Sequence, residues 1–99
     1  MNSLRVDLLL KTGINLARNK VEVAFYENKI RVNGKRILKK SMVCNCGDEI
    51  DLLKGESRDN PNHLVVSRVE ILSETTKEDG SLLVTMKAHK SLLIDKYDD

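Results

Sequence analysis

Apolar positions in this chain repeat first with a helical period and then, after Asn28, with the period of a strand. Leu4, Leu8 and Leu9 stand at i, i+4 and i+5, which predicts a first helix entered through Ser3 as N-cap. Gly13 stands where a left-handed C-terminal cap belongs, and a short Gly-containing turn leads on. Val21, Ala24 and Phe25 form the apolar face of a second helix that begins around Asn15 to Ala17. Asn28 tolerates the left-handed conformation and gives that helix its exit, with Lys29 beside it. Alternation then places Ile30, Val32 and Ile37 inward and Arg31, Lys35 and Lys39 outward, around Asn33-Gly34, a dipeptide suited to a tight hairpin turn. Val43 and the run Ile50 to Leu53 predict further strand, divided by a Gly47-Asp48 turn. Lys54 to His63, which includes Gly55, Asn60, Pro61 and Asn62, reads as a polar loop. Leu64 to Glu74 and Leu82 to Ala88 predict a second hairpin turning at Glu78-Asp79-Gly80, while Ser91 to Asp99 gives no element pattern.

These elements add up to one α+β domain: two helices packed on a small, twisted, mainly antiparallel sheet, extended by a C-terminal hairpin. Its parts are a core over residues 3–53, a loop over 54–63, the hairpin over 64–90 and a tail over 91–99. Ninety-nine residues with 40% hydrophobic content can build one modest core. Phe25, Tyr26 and Tyr97 are the aromatic residues and Trp is missing, so Leu, Val and Ile must fill that core. No stretch approaches the ~20 apolar residues of a membrane-spanning helix, and no secretory signal pattern is present.

Charge divides the chain. Residues 1–40 hold ten Lys/Arg against three Asp/Glu, a net of +7; residues 41–99 hold seven against twelve, a net of −5. A basic half on a small domain concentrates anions and steers it towards polyanions, nucleic acid first. Lys35, Arg36, Lys39 and Lys40 follow the hairpin turn, and Arg18 and Lys20 open the second helix, whose positive end also favours phosphate. With so few rings available for base stacking, contact should run through phosphates and shape, with weak base reading. The candidate RNA-contacting residues are Arg18, Lys20, Arg31, Lys35, Arg36, Lys39 and Lys40. Arg5 and Lys11 are weaker ones, since Arg5 can pair with Asp7.

Other chemistry fares poorly. Asp48, Glu49 and Asp51 sit at a turn, where acids are ordinarily solvated. His63 and His89 have no nucleophile or carboxylate at a spacing that suggests a triad, and no phosphate-cradling Gly-rich loop occurs. Cys44 and Cys46 are one residue apart, too close for an ordinary disulfide, so a reducing or thiol-tolerant setting is expected. With His63 and His89 they total four conceivable zinc ligands, but paired zinc cysteines usually stand two or more residues apart and no second knuckle matches. We therefore expect no catalysis, no metal and no cofactor.

Taken together, the motifs resemble the S-four RNA-binding domain, or αL motif. They are Arg5-Val6-Asp7 and Ala17-Arg18-Asn19-Lys20-Val21, followed by Lys29-Ile30-Arg31-Val32-Asn33-Gly34-Lys35 and Gly47-Asp48-Glu49-Ile50. Two departures stand out: Ala17 replaces a frequent Ser, and Asn28 replaces a frequent Gly. Further segments resemble the mitochondrial transcription rescue factor family: Leu10-Lys11-Thr12-Gly13, Arg18-Asn19-Lys20-Val21-Glu22, Ala24-Phe25-Tyr26, Lys39-Lys40-Ser41, Asp51-Leu52-Leu53 and Lys90-Ser91-Leu92. That resemblance implies a mitochondrial matrix protein binding structured RNA, ribosomal RNA or tRNA. It further implies action in transcription under stress and in rescue of stalled large mitochondrial ribosomal subunits. A release-factor-like peptidyl-tRNA hydrolase would then be a partner. A monomer is expected. Two other readings stay open: an accessory module of a larger RNA-modifying enzyme, and a protein-interaction module docking through its acidic C-terminal half.

Overall fold

Where the apolar period changes, the chain passes from helix to sheet. The computed structural model describes residues 4–39, 41–59 and 62–95. Ser3, Lys40, Asn60, Pro61 and the last four residues, each part of a sequence-based expectation above, lie outside them. Helix α1 is Val6–Ile14 and α2 is Arg18–Tyr26. The strands are β1 (Ile30–Val32), β2 (Lys35–Arg36), β3 (Glu49–Glu56), β4 (His63–Thr76) and β5 (Leu82–Asp95). They form one antiparallel sheet in the order β2-β1-β3-β4-β5. The α+β architecture is the one expected from the periodicity.

Local backbone chemistry explains the breaks. Asn15 ends α1 in the left-handed conformation, φ 55°, and its N–H returns to the Leu10 carbonyl. Gly13 is therefore not the cap: it lies inside α1, where a Cβ would stand 2.8 Å from Val69 Cγ2. The missing side chain lets the helix sit close on the sheet. Asn28 at φ 58° makes the exit from α2 as expected. Asn33 and Gly34, at φ 53° and 82°, supply the two positive angles of a primed hairpin turn.

The core lies between the helices and one sheet face. Val6, Leu9 and Leu10 of α1 and Val21 and Ala24 of α2 are buried with Ile30, Val32, Ile50, Val69 and Ile71 of the sheet. Leu8, expected inside, is half-buried, and Val6 and Leu10 take that role, because the helix starts later than its leucine spacing suggested. Val66 is fully buried and lies directly across from Leu53 and Leu92, outside that cluster.

Strand lengths depart most from expectation. β3 runs on through Lys54, Gly55 and Glu56, and β4 begins at His63, so the polar loop is shorter than 54–63. β5 continues through Ser91 to Asp95, residues with no strand pattern of their own, because β4 offers a partner register as far as His63↔Asp95. Val43 joins no strand; it makes one bridge to Arg5 and is exposed. Beyond Ile71 the residues of β4 are exposed, while Leu82, Val84 and Met86 of β5 stay half-buried against the core. Here β4 and β5 continue as a two-stranded arm of a molecule measuring 49 × 23 × 22 Å.

Candidate nucleic-acid interface

Two helix starts and one loop gather the basic residues. The N-cap of α2 is Ala17, whose methyl cannot accept a hydrogen bond, and no side chain caps this helix among the described residues. Its first turn thus carries uncapped amide dipoles beside Arg18. Arg18 lines a cleft of about 220 Å³ between the helices, shared with Arg5, Asp7, Leu8, Lys11 and Val21. Three cations and one carboxylate meet there. Asp7 is held by Arg5, Nη2 to Oδ2 at 2.8 Å, and also accepts from the Leu8 N–H at 2.9 Å. Arg5 Nε is buried without a hydrogen-bond partner among the described residues.

A second basic group adjoins the first. The Val6 N–H donates to the Met42 carbonyl at 2.9 Å, and the Cys44 N–H donates to the Leu4 carbonyl at 2.8 Å. These bonds lay the loop after β2 along the start of α1, with Arg5 opposite Val43. Arg36 and Lys39 line a recess on this loop together with Ile37, Leu38 and Met42. Lys35 is exposed at the hairpin, opposite Val32. The turn carrying it is fixed to β3: Asn33 Nδ2 donates to Asp48 Oδ1, and the Glu49 N–H donates to Asn33 Oδ1, both at 3.0 Å.

Not every candidate joins this surface. Lys20 lies round α2, on a groove with Lys29, Lys54 and Glu27. Lys29 and Lys54 were not singled out from sequence, since Lys29 looked like a helix exit and Lys54 like loop; the pairing of β3 with β1 brings them to one groove. Arg31 corrects the outward assignment: it is 6% exposed, and its guanidinium donates to the Asn28 and Ile30 carbonyls. Strand parity does direct it away from Ile30 and Val32, but that direction is not open to solvent. Arg5 and Lys11, weaker candidates by sequence, line the same cleft as Arg18.

The acids differ from expectation as well. Asp51 is 2% exposed and accepts from Arg68 at 2.7 and 3.0 Å, a two-pronged pair, while Arg68 Nη1 lies 3.3 Å from Glu49. Register explains it: Asp51 stands across from Arg31 on β1 and Arg68 on β4, so cations flank it. His63 and His89 lie on the C-terminal hairpin beside Asp95 at 3.1 Å and Glu70 at 3.7 Å. Cys44 is buried and Cys46 exposed, both as free thiols. No group of three or more potential metal ligands comes together among the described residues.

Comparison with known proteins bears on the whole of this fold. A family profile describing the C-terminal domain of mitochondrial transcription rescue factor 1 matches residues 1–96. The chain belongs to this family. Proteins named mitochondrial transcription rescue factor 1 from mouse and human are each 37% identical to it over 98 residues. The matched region is 97% of this chain and 40% of each of those proteins, so the chain spans well under half the length of these curated relatives. The transcription rescue factor domain thus includes both helices and all five strands, the β4–β5 arm among them.

Proposed function

We propose that this domain is a non-catalytic RNA-binding unit that grips structured RNA by its phosphates. Lys11 and Arg18 are the central contacts, Arg5 lies beside them held by Asp7, and Arg36, Lys39 and Lys35 extend the grip along the hairpin side. Lys40 follows Lys39 in sequence and is kept as a contact on that ground. Lys20 serves a flank of α2 with Lys29 and Lys54. Arg31 is removed from the contact set. The observation that carries the reading is the convergence of three cations on one cleft beside the uncapped first turn of α2. A helix start and clustered guanidinium and ammonium groups both favour phosphate oxygens.

Family membership supports a mitochondrial setting. Within this reading the domain works in the matrix, in transcription under stress and in rescue of stalled large ribosomal subunits. Ribosomal RNA or tRNA is its ligand there, and a release-factor-like peptidyl-tRNA hydrolase supplies the chemistry that the domain lacks. The rival reading, docking through an acidic C-terminal half, is less favoured because Glu49 and Asp51 are taken up by Arg68 across the sheet. Titration of the chain with a structured and a single-stranded RNA at two salt concentrations tests the proposal. Tight, salt-sensitive binding to the structured RNA is expected; binding that ignores salt, or none, would overturn it.

A further inference from the structure

The loop after β2 carries an apolar feature that phosphate binding does not use. Leu38 is 93% exposed, Val43 60% and Met42 40%, three large apolar residues within a span of six. Scattered exposed leucines are ordinary, but Leu38 and Met42 share one recess with Ile37, of about 410 Å³. That size falls within the ~300–1,000 Å³ of small-ligand sites. Ile37 anchors its floor by packing on the core, and the Met42 N–H bonds the Lys39 carbonyl at 3.1 Å. Arg36 and Lys39 are the charged groups among the described residues that line the same recess. An apolar floor edged by cations suits a ligand with an apolar face and negative charge close on either side. An unstacked nucleotide is such a ligand: a flat base carried between two phosphates.

We propose that the recess formed by Ile37, Leu38 and Met42 receives one extrahelical or unstacked nucleobase of the bound RNA, with Arg36 and Lys39 on its flanking phosphates. The inference rests on the RNA-binding reading above and sharpens it, because it specifies RNA with a bulge or loop rather than an uninterrupted duplex. Apolar side chains seated against unstacked bases are an established way for proteins to recognise deformed nucleic acid, and an Arg plane can cover a base where aromatic rings are scarce. A bare duplex keeps its bases stacked and offers the recess nothing.

The test compares two RNAs of equal phosphate number, one fully paired and one with a single unpaired nucleotide. The wild-type chain should bind the bulged RNA about fivefold or more tightly. Leu38→Ser combined with Met42→Ser should abolish that preference while leaving duplex affinity and its salt dependence unchanged. The sequence holds no Trp, so Leu38→Trp places a single, selectively excitable tryptophan at the recess. Its emission should change with saturating bulged RNA and not with saturating duplex. Equal binding of both RNAs by the wild type overturns the inference yet leaves the RNA-binding reading standing; failure to bind either RNA overturns both. Sedimentation with anionic phospholipid vesicles that depends on Leu38 and Met42, without a bulge preference, would assign the patch to a membrane surface and likewise overturn it.

Discussion

Val69 Cγ2 occupies the space that any side chain on Gly13 would need, since a Cβ there would stand 2.8 Å from it. Val69 is fully buried and β-branched, so it has little freedom to move aside. Replacing an interior helical Gly by Ala ordinarily gains up to about 1 kcal/mol. Here the added methyl pushes α1 off the sheet, and overpacking of this kind costs about 1–3 kcal/mol. Gly13→Ala should therefore lower the urea midpoint. In a Val69→Ala background the same change should become neutral or stabilising. An equal effect in both backgrounds would sink this account of the contact.

Arg31 and Arg18 should behave oppositely, although each is a cation within a basic segment. Arg31 is buried against the Asn28 and Ile30 carbonyls, whereas Arg18 is exposed at the cleft. Arg31→Gln should reduce stability by about 1–3 kcal/mol, by weakening charge-assisted bonds in a buried position. In a domain of this size that is a fall of roughly 4–8 °C in Tm per kcal/mol. RNA affinity measured well below the transition should hardly change. Arg18→Gln should leave Tm nearly unchanged and weaken RNA binding. Loss of RNA affinity in fully folded Arg31→Gln would return Arg31 to the interface.

Much of this contrast was legible in the chain, and what was not has physical causes. The helix pair, the Asn33-Gly34 turn and the core strands followed from period and turn chemistry, which act within a few residues. Gly13 was misread because a glycine near a helix end suits either a cap or a close approach, and only the distant Val69 decides between them. The outward parity of Arg31 said nothing about what would cover it. Asp51 looked solvated because its partner Arg68 is seventeen residues away and reaches it through the β3–β4 register. The tail strand to Asp95 depends on β4 in the same way. Arg5 was ranked low because it could pair with Asp7, and it does so at 2.8 Å. That it and Lys11 share a cleft with Arg18 depends on how the two helices pack, which no local pattern records.

The two cysteines should differ sharply in reactivity. Burial, and then the nearby negative charge of Asp48, push the Cys44 thiol up to about 11 from 9.0. Cys46 is exposed. A maleimide at neutral pH should give one adduct per chain, on Cys46, with a second after unfolding, since the thiolate is the reacting form. The raised value also fixes a sign. Between pH 9 and 11 the unfolded chain releases the Cys44 proton while the folded chain keeps it. The contribution of this group is thus present below about pH 9 and lost as pH rises towards 11. The urea midpoint should fall more steeply over that range for the wild type than for Cys44→Ala.

Asp51 and Arg68 form a pair whose halves are not equally dispensable. Asp51 is almost fully buried, and the Arg68 side chain is 20% exposed. Removing one partner of a buried pair strands the other charge and costs about 3–5 kcal/mol, while replacing both by apolar residues can be neutral. Asp51→Ala should therefore destabilise strongly, a large share of the ~5–15 kcal/mol typical of a domain. Asp51→Leu with Arg68→Met should recover most of the loss. Failure of the double variant to recover would mean that the remaining cation, Arg31 across the strand, depends on Asp51 as much as Arg68 does.

Salt dependence separates the cleft from the rest of the basic surface. Each cation that meets a phosphate releases counterions, so log affinity falls with log salt by about 0.7–0.9 per contact. Lys11→Gln and Arg18→Gln should each weaken binding and flatten that slope by about this amount. Arg5→Gln should do less, because Asp7 holds the guanidinium at 2.8 Å. The converse change is then informative: Asp7→Asn removes the competing anion and should raise RNA affinity while leaving Arg5 in place. Lys77 lies at the far end of the arm, beyond β4, and Lys77→Gln should leave both affinity and slope unaltered. A slope that drops equally for Lys77 and Arg18 would mean that RNA sees net charge, not this cleft. A drop confined to Lys11 and Arg18, with the opposite response at Asp7, would place phosphate between the two helices.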